Sequence, residues 1–180
     1  MTAKKLPLVL LLLLSLLTTF GCVQHKTFSK FSHRYHRERY SLSDENLRSL
    51  SFYSSTDILG KGVDPQNPGG EERVFALSKE TPGLLVEAGP DFLRVSFRKG
   101  GVGALFLADS TKEHYDFYYL ATEVEGGGFQ KLEDVKDGVL RLDGVEFKIL
   151  AGSSAHLVVD WKELTDLFET LSVRLEGRTQ

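Results

Sequence analysis

A chain of 180 residues with one cysteine, one methionine and one tryptophan has little sulfur chemistry available to it. A single thiol closes no disulfide within the chain and builds no thiolate metal cluster, so packing must supply the stability. A strong overall charge is also lacking, since the formal net charge is only -3. The apolar fraction of 41% and the charged fraction of 26% lie near globular averages, which excludes both a disordered tract and a polytopic membrane protein. Subtracting a leader of about twenty residues leaves roughly 160, enough for one compact domain with a tether.

The charge that is present is unevenly placed. From Val23 to Tyr40 the five basic residues Lys26, Lys30, Arg34, Arg37 and Arg39 face only Glu38, a net of +4. Residues 41–180 carry 15 basic and 24 acidic side chains, a net of -9. A basic stretch thus precedes an acidic body.

Lys4 and Lys5 supply a positive start, and Leu6 to Leu17 is apolar apart from Pro7 and Ser15 before Thr18, Thr19, Gly21 and Cys22. That order is a secretory signal. With Gly21 directly before the one thiol, the run resembles a bacterial lipoprotein signal. This family usually has Leu three residues before the cysteine and a small residue two before it, where this chain has Thr19 and Phe20. The resemblance implies cleavage after Gly21 and acylation of Cys22, giving three segments: signal peptide 1–21, lipidated basic tether 22–40 and β-rich globular domain 41–180. It places the protein in the cell envelope, joined to the membrane through lipid on Cys22. With Val23 after the cysteine, the outer membrane is the expected address in a host with two membranes. An uncleaved anchor stays open, because Leu6 to Val23 has about the 18-residue length that just spans a bilayer.

His25 to Tyr40 interleaves cations and aromatics without a helical or alternating period, so an extended or disordered tether is expected. It could lie on lipid headgroups or an anionic wall polymer, or serve as a solvated spacer. His25, His33 and His36 lack a carboxylate or thiolate ligand framework, so no metal site is expected. Nucleic acid is excluded as a partner by the acidic body.

The body reads as short strands between breakers. Ser41 and Ser43 before Asp44, Glu45 and Asn46 predict a short helix, and Ser51 to Leu59 a first strand. The run Asp64 to Gly70 is a loop. Further strands are predicted at Arg73 to Leu77, Gly83 to Ala88, Phe92 to Arg98, Ala104 to Ala108 and Asp116 to Glu123. Asp143-Gly144 reads as a two-residue hairpin turn that sets Leu142 opposite Val145, Arg141 opposite Glu146 and Leu140 opposite Phe147. After a strand at His156 to Trp161, helical spacing runs from Trp161 to Leu171, with Asp160 and Glu163 as a capping pair, and Val173 and Leu175 form a last short strand. The fold class expected is mainly β, a compact antiparallel barrel or sandwich of about 8–9 short strands with one or two short helices; a barrel is favoured because closure removes edges. The run from Leu47 through Leu50, Phe52 and Tyr53 to Leu59 loosely resembles small bacterial lipoproteins to which no activity is assigned.

Candidate chemistry is sparse. Lys99 to Gly103 lacks the Gly-Lys-Ser/Thr ending of a phosphate loop and reads as a hairpin turn. Ser153, Ser154, His156 and Asp160 lack a nucleophile elbow. Asp109, Glu113, His114 and Asp116 could offer ligands or an acid/base pair. Phe52, Tyr53 and Phe117 to Tyr119 could line an aromatic groove, although strand aromatics more often fill a core. No catalytic, cofactor or metal residue is therefore expected. The leading reading is a non-catalytic binding or structural module of the envelope, with an envelope protein or polymer as partner. The alternative is a lipid-anchored hydrolase or wall-processing enzyme using His114 or His156.

Overall fold

The computed structural model describes residues 26–63, 72–109, 116–124, 126–135, 138–142 and 145–176. Among these, twelve strands run antiparallel: β1 Phe28–Lys30, β2 Phe52–Ser54, β3 Ile58–Val63, β4 Arg73–Leu77, β5 Leu84–Ala88, β6 Phe92–Ser96, β7 Ala104–Ala108, β8 Tyr118–Glu123, β9 Phe129–Lys131, β10 Val139–Leu142, β11 Val145–Ala151 and β12 Leu157–Asp160. They form three sheets, ordered β1-β12-β2, β10-β11-β3-β4 and β5-β6-β7-β8-β9. The result is sandwich-like. The barrel favoured on edge-protection grounds does not close, because β4 pairs only with β3 and leaves its other side as a sheet edge.

Alternation explains the burial of the strands. Leu93 and Val95 of β6 are fully buried while Phe92, Arg94 and Ser96 between and beside them are half-exposed, the period of a sheet with one face on a core. In β10 and β11 the expected register forms, with Leu142 opposite Val145, Arg141 opposite Glu146 and Leu140 opposite Phe147. Leu140, Val145 and Phe147 are buried, and Arg141 Nε reaches Glu146 Oε1 at 2.8 Å on the wet face. Asp143 and Gly144 themselves lie outside the described residues, as does the loop Asp64 to Gly70. Gly62 shows why β3 carries glycine: a Cβ there would sit 2.0 Å from the Glu146 carbonyl oxygen of β11.

Among the described residues, two α-helices accompany the sheets, α1 Asp44–Arg48 and α2 Trp161–Glu176. The Ser43 hydroxyl accepts from the Asn46 N–H while the Asn46 side chain accepts from the Ser43 N–H, a reciprocal cap that starts α1 where the sequence indicates. Four expectations need correction. The first strand splits into β2 and β3, because Ser54 Oγ donates to the Thr56 carbonyl and Asp57 accepts from the Lys79 N–H, turning the chain between them. Val173 and Leu175 remain in α2, since nothing in that run breaks a helix before Gly177. Asp160 does cap this helix, accepting from the Lys162 N–H at 2.8 Å, but Glu163 instead accepts from the Ser51 N–H at 2.8 Å.

The fourth correction concerns the expected tether. Residues 28–30 are β1, paired with β12 so that Phe28 faces Asp160 and Lys30 faces Val158. Phe31 behind them is fully buried against Phe52 and Tyr118, with ring centroids 5.3 and 5.8 Å away. A π-helical turn follows at His33–Glu38, capped by Ser32 Oγ, and Tyr40 stacks on Phe168 of α2 at 3.7 Å. This segment belongs to the core because single large residues, rather than a periodic face, carry its burial. Among the described residues, no helix is long and apolar enough to cross a membrane.

Candidate functional site

Cys22 and His25 lie outside the described residues, as do Glu113 and His114. The structure therefore places only part of the expected acid/base cluster, and the two carboxylates it does place hold different partners. Asp109 is buried and its Oδ2 lies 3.0 Å from Lys131 Nζ. Burial works against the Lys131 charge, but hydrogen bonds to Asp109 and Asp134 outweigh it, and the ammonium pKa is raised. Asp116 is also buried; it accepts from Ser32 Oγ at 2.6 Å and from the Arg34 N–H. Each carboxylate thus holds a structural partner.

His156 does not assemble with Ser153, Ser154 and Asp160 into a nucleophilic group. Its ring lies between those of Phe117 and Tyr119, with centroids 5.9 and 5.7 Å away, and its backbone N–H donates to Ser55 Oγ. Burial lowers its pKa, and the nearby Lys30 charge lowers it further. Asp160 is committed to the start of α2. Lys99 to Gly103 lies between β6 and β7, where Gly100 and Gly103 adopt φ of 75° and 88° and a turn bond runs from the Gly101 N–H to the Arg98 carbonyl. The aromatic candidates Phe52, Tyr53 and Tyr118 are core residues.

A chain of polar groups that the sequence reading missed joins Glu38, His33 and Tyr118. His33 Nε2 lies 3.1 Å from Glu38 Oε1, His33 Nδ1 lies 2.6 Å from the Tyr118 hydroxyl, and Arg37 donates to that hydroxyl at 3.1 Å. The order carboxylate, imidazole, hydroxyl has the form of a catalytic relay, but Tyr118 is fully buried. Burial pushes its phenol up to about 12 against the opposing pull of Arg37, so the oxygen is neither ionised nor reachable by substrate. The relay fastens residues 33–38 to β8. Its signal in the sequence is only the basic and histidine-rich composition, which gives no hint of a partner more than eighty residues away.

Among the described residues two open clefts stand out, and they share no lining residue. The first, of about 620 Å³, runs along all five residues of β4 and is walled by Phe97, Ala104, Leu142, Val145 and Phe147, with Arg73 and Arg98 at its rim. Its volume falls in the range of ligand sites, and its wall is apolar with a few polar groups. Because β4 is a sheet edge, the same cleft borders a strand with one unpaired side: among the described residues, no backbone hydrogen bond joins Val74–Leu77 to anything but β3. The second cleft, of about 720 Å³, combines Lys30, Arg34 and Arg39 with Phe28, Tyr35 and Trp161, above the buried Asp116. Among the described residues, no group of three or more His, Cys, Asp or Glu is placed to hold a metal ion. Comparison with protein-family models, curated proteins and solved structures finds no match to this chain.

Proposed function

We propose that this protein is a lipid-anchored envelope lipoprotein whose β-domain is a non-catalytic binding module, taking an extended segment of a partner protein along β4. One observation carries the binding reading: an edge strand borders an apolar cleft of about 620 Å³. A segment added to β4 would satisfy its outward N–H and C=O groups, and alternate side chains of the segment would enter the cleft between Phe97 and Phe147. The anchoring reading is supported by the leader and by Gly21-Cys22.

Metabolic labelling with palmitate tests the anchor, with label lost in Cys22→Ala; label retained in that variant refutes acylation there. A photo-crosslinking residue at Ala76, in intact cells, tests the edge. The expected adduct is an extended peptide of one partner, absent when the photo-probe stands at exposed Val173 of α2 and absent when Thr81→Trp fills the cleft. Equal adducts at both positions, or an adduct indifferent to the filled cleft, overturn the strand-addition reading.

A further inference from the structure

The second cleft is a surface of a different kind. Three large aromatic residues are left open on one face, with Phe28 41%, Tyr35 57% and Trp161 48% exposed. Around them stand Lys30, Arg34 and Arg39. Lys30 Nζ lies over the Phe117 ring at 5.0 Å and the Arg39 guanidinium over the Tyr35 ring at 5.3 Å. Neither cation forms an ion pair with a carboxylate among the described residues. The one acid among the residues lining the cleft, Asp116, is buried and accepts from Ser32 Oγ and the Arg34 N–H, while three cations line the same cleft. A surface with a net of +4 in its own segment thus sits on a body with a net of -9.

The position of this face gives the charge a meaning. Its first residue is only two beyond Lys26, where the described chain begins, and the Trp161 N–H donates to the Thr27 carbonyl at 2.7 Å. Only three residues lie between Cys22 and Lys26, and the four Cα-to-Cα steps span at most about 14 Å when fully extended. Acyl chains on that thiol would therefore hold this face, and no remote one, at the headgroups. Aromatic rings with polar edges and long cationic side chains are the residue types that settle at a bilayer interface. We infer that the face of Phe28, Lys30, Tyr35, Arg39 and Trp161 lies on the anionic phospholipid surface of the membrane to which Cys22 is joined, fixing the orientation of the domain. This rests on the anchoring reading for its geometry, and it leaves the β4 cleft on a separate part of the surface.

Trp161 is the only tryptophan, so its fluorescence reports on this face alone. The acylated protein is reconstituted into vesicles of phosphatidylcholine, with or without phosphatidylglycerol, each containing brominated lipid as quencher. Flotation with both compositions reads the anchor. The orientation inference expects a blue shift and quenching of Trp161 that are stronger in the phosphatidylglycerol vesicles, and it expects Lys30→Gln with Arg39→Gln to abolish that difference while flotation persists. Protein that floats with both, yet leaves Trp161 equally unquenched in both, keeps the anchor and overturns the orientation. Should flotation itself fail, the Cys22→Ala chain titrated with phosphatidylglycerol vesicles still decides the matter. At about fivefold per cation, the double variant should lower partitioning about twenty-five-fold. No partitioning, no effect of the double variant, or a Trp161 shift produced only by an anionic glycopolymer overturns the proposal.

Discussion

His36 makes a pH prediction that can be worked through. Its ring is buried between those of Phe31 and Phe168, at 5.6 and 6.1 Å, and its Nδ1 accepts the Ser32 N–H at 2.9 Å. An acceptor nitrogen in an apolar stack favours the neutral ring, and burial lowers the pKa from 6.5 to about 4, with the Asp116 charge opposing. The unfolded chain therefore takes up this proton first as pH falls. The contribution of neutral His36 is fully present above the unfolded value of 6.5 and is lost as pH drops toward 4. Between about pH 7.5 and about pH 4.5 the linkage amounts to about 2.5 kcal/mol, a sizeable part of the stability of a domain this size. Urea unfolding of the wild type and His36→Phe at both pH values isolates the effect, because other acid-titrating groups are common to both proteins. The phenylalanine variant leaves the Ser32 N–H without its acceptor and should be less stable at the upper pH, yet lose about 2.5 kcal/mol less on acidification. Parallel pH dependence in the two proteins would refute the reasoning.

Three further outcomes follow from packing. Lys131→Met leaves buried Asp109 without its 3.0 Å ammonium partner and should cost about 3 kcal/mol in a denaturant titration, a loss that Asp109→Asn in the same chain should largely recover. Phe31→Ala empties a fully buried ring site and should cost about 3–5 kcal/mol by the same measurement; a surface-like loss below about 1 kcal/mol would mean that residues 26–40 are a spacer after all. Gly62→Ala drives a methyl group into the Glu146 carbonyl, so the β3–β11 amides should lose hydrogen-exchange protection ahead of those in β6 and β7; uniform protection would show that the ladder can part to admit it.

The strands were legible where the chain alternates and where turn residues bound it. Leu93 and Val95 against Arg94 and Ser96, and the pairing of Leu140 with Phe147, follow from a period of two and a two-residue connection, both local properties. β1 and β9 escaped because they have three residues each, too few to display a period, and the equally short β2 was read as one strand with the start of β3. The candidate site was less legible. Sequence spacing grouped Asp109 with Asp116 and His156 with Asp160, while the fold gives each a different partner: Lys131, Ser32, two aromatic rings and the start of α2.

By itself, the sequence determined what short-range chemistry determines: the mainly β character, the hairpin register and the cap that starts α1. Only the tertiary structure decided that the basic aromatic stretch after Cys22 is part of the domain. Phe31, His36 and Tyr118 come together across more than eighty residues. No local period encodes such a meeting; it exists because Phe31 and Tyr118 remove more apolar surface from water together than either could alone. The same closure left β4 as an edge, and with it the cleft proposed to receive a partner.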